Sequence, residues 1–132
     1  MPLTLTAGVP AAGVAREVEP RALVLFGARW CAPCMGEYAD LAQITAAAAP
    51  GPVLLAWTDR AIAPPRGLSP TLAVQVRSLP VDVARRLALR LGGEGYGLPM
   101  AAMLDADGRD CALMRAPVGP AEIRAMLRRC ER

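Results

Sequence analysis

The stretch that most limits how this chain can fold is Ala22 to Cys34, "ALVLFGARWCAPC". Ala22 to Phe26 is an unbroken apolar run bounded by Arg21 and Gly27. Such a run suits a central strand covered on both faces, since a strand with one wet face would alternate. Cys31 and Cys34 follow directly, where the strand hands over to a helix. A strand buried on both sides demands layers above and below it, which points to an α/β architecture.

The rest of the sequence supplies those layers. A helical pattern runs from Pro33 to about Ala49, with Cys34, Tyr38, Leu41, Thr45 and Ala48 on one face and "PGP" at 50–52 to stop it. Val53 to Trp57 reads as a second buried strand, parallel to the first because a helix connects them. Residues 59–80 form a long proline-rich connection, of a kind that is often functional or mobile, with "TLAVQV" as a candidate short strand. Asp82 reads as the N-cap of a helix over 83–91, closed by Gly92 and Gly93. Leu98 to Leu104 is a third apolar strand, "DADG" at 105–108 a hairpin turn, and 110–116 the returning antiparallel strand. Pro120 then opens a last helix whose positions Ile123, Met126, Leu127 and Cys130 share a face. The order predicts a single three-layer domain over 1–132, a mixed sheet with helices on both faces, preceded by a weakly patterned lead-in over 1–20.

Composition narrows the chemistry. The net charge of +3 comes from fifteen arginines without a lysine, scattered along the chain and accompanied by few aromatics. A nucleic-acid surface would want a basic stripe, so that partner class is set aside. No apolar run is long enough to span a bilayer. Histidine is absent, which removes the commonest general base and the commonest metal ligand together. Any reaction must rest on cysteine, carboxylate, arginine or backbone groups.

The cysteine pair can be a redox centre, half of a metal site or a structural staple. A metal site wants about four ligands, and only Cys111 and Cys130 remain to complete one, so no metal is expected. At a helix start, free N–H groups and the helix dipole favour a thiolate at Cys31. A thiol of pKa ~8.5 is largely protonated at neutral pH, whereas one lowered to ~7 is about half ionised. Cys34, one turn into the helix on its apolar side, is expected to be buried and less acidic. The asymmetry gives an exposed attacker and a buried resolver, and redox chemistry is the preferred reading.

"LVLFGARWCAPC" followed downstream by "YGLPMAAMLDADGR" resembles the thioredoxin superfamily, nearest its TlpA/ResA-like bacterial thiol–disulfide oxidoreductases. The resemblance covers roughly residues 20–129. It implies a thioredoxin-like fold, exchange of disulfides with protein substrates through Cys31-Ala32-Pro33-Cys34 as a reductant, recycling by an upstream redox partner, and no organic cofactor. It also implies a cis proline at Pro99, beside which the Leu98 backbone would pair with substrate while Trp30, Ala32, Pro33 and Leu98 line the contact. Glu37 holds the family's glutamate position. As a proton carrier it would point into the hollow near Cys34 with a raised pKa; as a surface carboxylate it would merely suit the helix dipole. The chain departs from typical thioredoxins in carrying Leu25 where they have a buried aspartate, and a proline-rich loop where TlpA-like members have a fuller helix. A non-catalytic thioredoxin-like module holding a metal or partner is the rival reading.

Cys111 and Cys130 are read first as buried core thiols. A second disulfide is the alternative, requiring Cα atoms ~4.4–6.8 Å apart, and a functional third thiol is a further one. The chain is expected to be monomeric. Met1 as a native start would place it in the cytoplasm; a removed leader would place it in the periplasm, as is the family's habit.

Overall fold

The computed structural model describes residues 18–131, so most of the weakly patterned lead-in lies outside the described residues. The central strand β1 (Leu23–Gly27) is flanked by a parallel β2 (Val53–Trp57), in register from Leu23 opposite Val53 to Gly27 opposite Trp57. On its other side runs an antiparallel β4 (Met100–Leu104), itself paired with β5 (Asp110–Met114). A short β3 (Val76–Ser78) completes the sheet, in the order β3-β2-β1-β4-β5. Every residue of β1, β2 and β4 is buried. Because successive side chains point to opposite faces, the sheet feeds two cores. Leu23, Leu25, Val53, Leu55, Trp57 and Met103 face one side, where they meet α1 (Ala32–Ala39), α2 (Leu41–Ala48) and α5 (Pro120–Cys130). Val24, Phe26, Leu54, Ala56, Met100 and Ala102 face the other, against Ala84, Leu87 and Ala88 of α4 (Val81–Gly92). Helices on both faces of a mixed sheet make the three-layer arrangement.

Local structure departs from the sequence reading at several places. The single helix expected after Pro33 is broken at Asp40, whose amide is shared between the Gly36 and Glu37 carbonyls. Aspartate competes with the helix backbone for hydrogen bonds and favours ends over interiors. "TLAVQV" divides into a helical turn, α3 (Pro70–Ala73), capped by the Ser69 hydroxyl, and the edge strand β3. The helix expected from 83 starts earlier, at Val81, which puts Asp82 in its first turn rather than at the cap; there the carboxylate still complements the dipole. The strands expected over 98–104 and 110–116 are both shorter, the first starting at Met100 and the second ending at Met114. The hairpin before it turns on Asp105, whose Oδ1 accepts from the Asp107 and Arg109 amides, and on Gly108 at φ 82°. A positive φ there suits a residue without a side chain.

The preferred reading of Cys111 and Cys130 as free thiols gives way to a bond. Their Cα atoms lie 5.2 Å apart and the sulfurs are joined, tying the end of α5 to the edge strand β5. Sequence separation alone could not show that α5 folds back alongside β5. Closing a loop of this size restricts the unfolded chain by about 3 kcal/mol. The Cys111→Ser/Cys130→Ser variant should therefore unfold at lower urea than the oxidised parent, by about that free energy. An unchanged midpoint would show that helix packing alone holds α5.

Candidate active site

Cys31 and Cys34 sit at the carboxyl end of β1, where the chain enters α1. Cys31 is the N-cap of that helix, and its sulfur accepts from the Cys34 amide at 3.3 Å. The two are disulfide-bonded, with Cα atoms 5.2 Å apart. The exposed attacker expected from the sequence is not exposed in this oxidised state: Cys31 is 4% accessible and Cys34 0%. Bonding to Cys34 and capping the helix hold the Cys31 sulfur against the helix start, so both cysteines are buried here. Ala32 and Pro33 are exposed beside the pair. Trp30 is 74% accessible.

Close packing behind the disulfide explains a residue that sequence reasoning treated only as a boundary. A Cβ on Gly27 would lie 3.0 Å from the Cys34 Cβ and 3.0 Å from the Trp57 ring. A side chain here would have to push the second cysteine or the indole aside by a few tenths of an ångström, so a bare α-carbon suits their convergence. Trp57 is fully buried and stacks obliquely on Tyr38, ring centroids 6.3 Å apart. The Tyr38 hydroxyl in turn donates to the Ala63 carbonyl at 2.6 Å, pinning the proline-rich segment to α1. Ser78 donates to the Ile62 carbonyl from the opposite side, and Ile62 and Leu68 pack on the core that contains the cysteines. The long connection thus forms a fixed wall near the site. Its apolar contacts were not readable from composition, because proline-rich segments carry no periodic signal.

Glu37 lies inside. It is 4% accessible, and with Cys34 it makes up the buried residues of α1. Three residues apart, the two share a helix face. Glu37 Oε2 accepts from the Val118 amide at 2.8 Å, while Oε1 has no hydrogen-bond partner among the described residues. Burial raises the carboxyl from 4.5 to about 7, and the Val118 hydrogen bond opposes part of that rise. Val118 precedes α5, and the next amide, that of Gly119, donates to Glu122 at 2.8 Å. Two carboxylates therefore hold neighbouring amides of one turn. Val118 had no sequence signal, since its part is played by the backbone.

Pro99 is buried immediately before β4, Leu98 is half-buried and packs on both cores, and the Leu98–Pro99 peptide bond is cis. Continuing the register of Phe26 opposite Met100 brings Pro99 level with Gly27, at the edge from which the cysteines project. Leu25, where thioredoxins carry a carboxylate, is wholly buried in the same core as the disulfide. Among the described residues, no three His, Cys, Asp or Glu side chains are grouped to hold a metal ion, and no helix is long and apolar enough to cross a membrane.

Fold and cysteine placement together define a thioredoxin-like fold with a Cys-x-x-Cys pair at the first strand-to-helix junction. Solved structures share that fold. A DsbF homologue from Corynebacterium diphtheriae is 20% identical with a TM-score of 0.56, covering 87% of this chain and 74% of its own. A thio-disulfide isomerase from Thermus thermophilus is 21% identical with a TM-score of 0.57, covering 88% and 82%. A thiol:disulfide interchange protein of the thioredoxin family from Chlorobium tepidum TLS is 19% identical with a TM-score of 0.55, covering 91% and 83%. No family model and no curated protein matches the sequence.

Proposed function

We propose that the chain is a thiol–disulfide oxidoreductase acting on protein substrates, of the TlpA/ResA-like reductant type and recycled by an upstream redox partner. One observation carries the reading: the bonded Cys31–Cys34 pair opens a helix whose buried face also presents a carboxyl titrating near neutrality. The similar structures, a DsbF homologue, a thio-disulfide isomerase and a thiol:disulfide interchange protein, support the thiol–disulfide exchange part of this reading.

In the reduced protein, the Cys31 thiolate attacks one sulfur of a substrate disulfide. That S–S bond breaks, a mixed disulfide forms, and the departing substrate thiolate takes a proton from water. Cys34 then gives its proton to the Glu37 carboxylate and attacks the Cys31 sulfur. The second substrate thiolate leaves and is protonated. Two electrons have passed to the substrate, and the protein is left with the Cys31–Cys34 bond seen here. The redox pair itself carries the electrons. Glu37 suits its part because a base is most useful when its pKa lies near the working pH, and Trp30, Ala32, Pro33, Leu98 and Pro99 form the surface on which the substrate strand lies.

The test is catalysed reduction of insulin by dithiothreitol, together with the reduction potential of the pair. Turnover with a potential near about −270 mV is the expected result; one near about −120 mV would make the protein an oxidant. No turnover, with stoichiometric zinc or copper in the purified protein, would replace this reading with a binding module.

A further inference from the structure

The rim of the site carries more charge than the exchange reaction requires. The Arg29 amide donates to Asp59 Oδ2 at 2.9 Å, and the Arg60 amide donates to Oδ1 of the same carboxylate at 2.8 Å. One side chain thereby holds the backbones of two arginines side by side, from the turn before Cys31 and from the segment after β2. Both arginines are exposed, and neither guanidinium has a hydrogen-bond or ion-pair partner among the described residues. Arg85 reaches the same edge from α4, its Nε donating to the Thr58 carbonyl at 2.7 Å. Asp82, the acidic residue in the first turn of that helix, is paired with Arg86 at 3.4 Å. These contacts set three arginines and one carboxylate, Asp59, at this edge, with Asp82 already paired to Arg86, so its formal charge is positive. Between Arg29 and Cys31 stands Trp30, exposed over most of its surface.

Arginine and tryptophan are the side chains that most often dominate docking energetics. A guanidinium fork matches a carboxylate in two parallel hydrogen bonds. We propose that this rim selects disulfide-bearing segments flanked by acidic residues, with Arg29 and Arg60 engaging the carboxylates and Trp30 covering the apolar contact beside Cys31. The inference rests on the oxidoreductase reading above and names the substrate class of that same site. A field of one sign at a reactive edge acts mainly on association. It raises the encounter rate of oppositely charged partners by tenfold or more at low salt and fades as salt screens it.

The experiment uses two peptides with the same internal disulfide ring, flanked either by glutamates or by arginines. Each rate is divided by that of the same peptide with dithiothreitol, an uncharged reductant, to remove intrinsic differences in the disulfides. At about 20 mM salt the acidic peptide should show about tenfold higher kcat/KM, and the preference should shrink toward parity at about 0.5 M. Arg29→Glu/Arg60→Glu should invert the order. Equal rates at low salt, a preference for the basic peptide, or an acidic preference retained in the double variant would each overturn the proposal while leaving the redox reading intact. Failure of both peptides to react at all would sink the redox reading and this inference with it.

Discussion

Serine in place of Cys31 should reduce insulin turnover to the uncatalysed background, while serine in place of Cys34 should leave the first attack intact and accumulate mixed disulfides with substrates. The asymmetry follows from position. Cys31 caps α1, where its sulfur already accepts the Cys34 amide, so a reduced sulfur there is stabilised as the thiolate. Cys34 lies within the first turn, with no accessible surface, behind Gly27 and Trp57. A serine hydroxyl at position 31 cannot act as an ionised nucleophile near neutral pH, and the buried Cys34 cannot reach a protein disulfide in its place. At position 34 a serine removes only the group that resolves the intermediate, so the covalent complex persists and is recoverable on a non-reducing gel. In the reduced parent at pH 7, iodoacetamide should label Cys31 roughly tenfold faster than Cys34, or more, as the thiolate fraction dictates. Faster labelling of Cys34, or trapping by Cys31→Ser and not by Cys34→Ser, would reverse the assigned roles.

Glu37→Gln should make the protein more stable than its parent at pH 8 and little different at pH 4. The parent carboxyl is raised by burial from 4.5 to about 7. A raised folded-state pKa means that the native protein binds the proton more tightly than the unfolded chain. The stability associated with that proton is fully present below pH 4.5 and is lost as pH rises through about 7. At 1.36 kcal/mol per pH unit the full loss is about 3–4 kcal/mol. Glutamine stays neutral across the window, and its carbonyl oxygen can still accept from the Val118 amide, so its stability should be flat there. Urea unfolding at the two pH values measures the difference directly. The same substitution should slow turnover and remove the inflection near pH 7 from the rate of the resolving step, since Cys34 loses its proton acceptor. Equal stability differences at pH 4 and pH 8 would place the titrating group elsewhere.

Much of the architecture was legible because it rests on patterns that survive without neighbours. The apolar runs of β1, β2 and β4 are long enough to be read as strands, and their lack of alternation already required cover on both faces. Pro120 and Gly93 mark a helix start and a helix end through backbone restrictions that act wherever those residues stand. The segment from Asp59 to Pro80 was opaque, because its order comes from single contacts at the Tyr38 hydroxyl and the Ser78 side chain rather than from a repeating pattern.

At the site, the sequence by itself determined the cysteine pair and its place at a strand-to-helix junction. Residue type and spacing fix that much, since a pair three apart at a helix start must share its first turn. What it left open was decided by the tertiary structure. Whether the Glu37 carboxyl keeps its ordinary 4.5 or rises to about 7 depends on whether α5 and the Val118 turn close over it, and only packing sets its desolvation. Whether Cys111 and Cys130 are thiols or a disulfide depends on α5 lying along β5. The positive rim exists only because Asp59 joins two arginines from separate parts of the chain. Each of these is a relation between groups far apart in sequence, and burial and distance arise only when the layers come together.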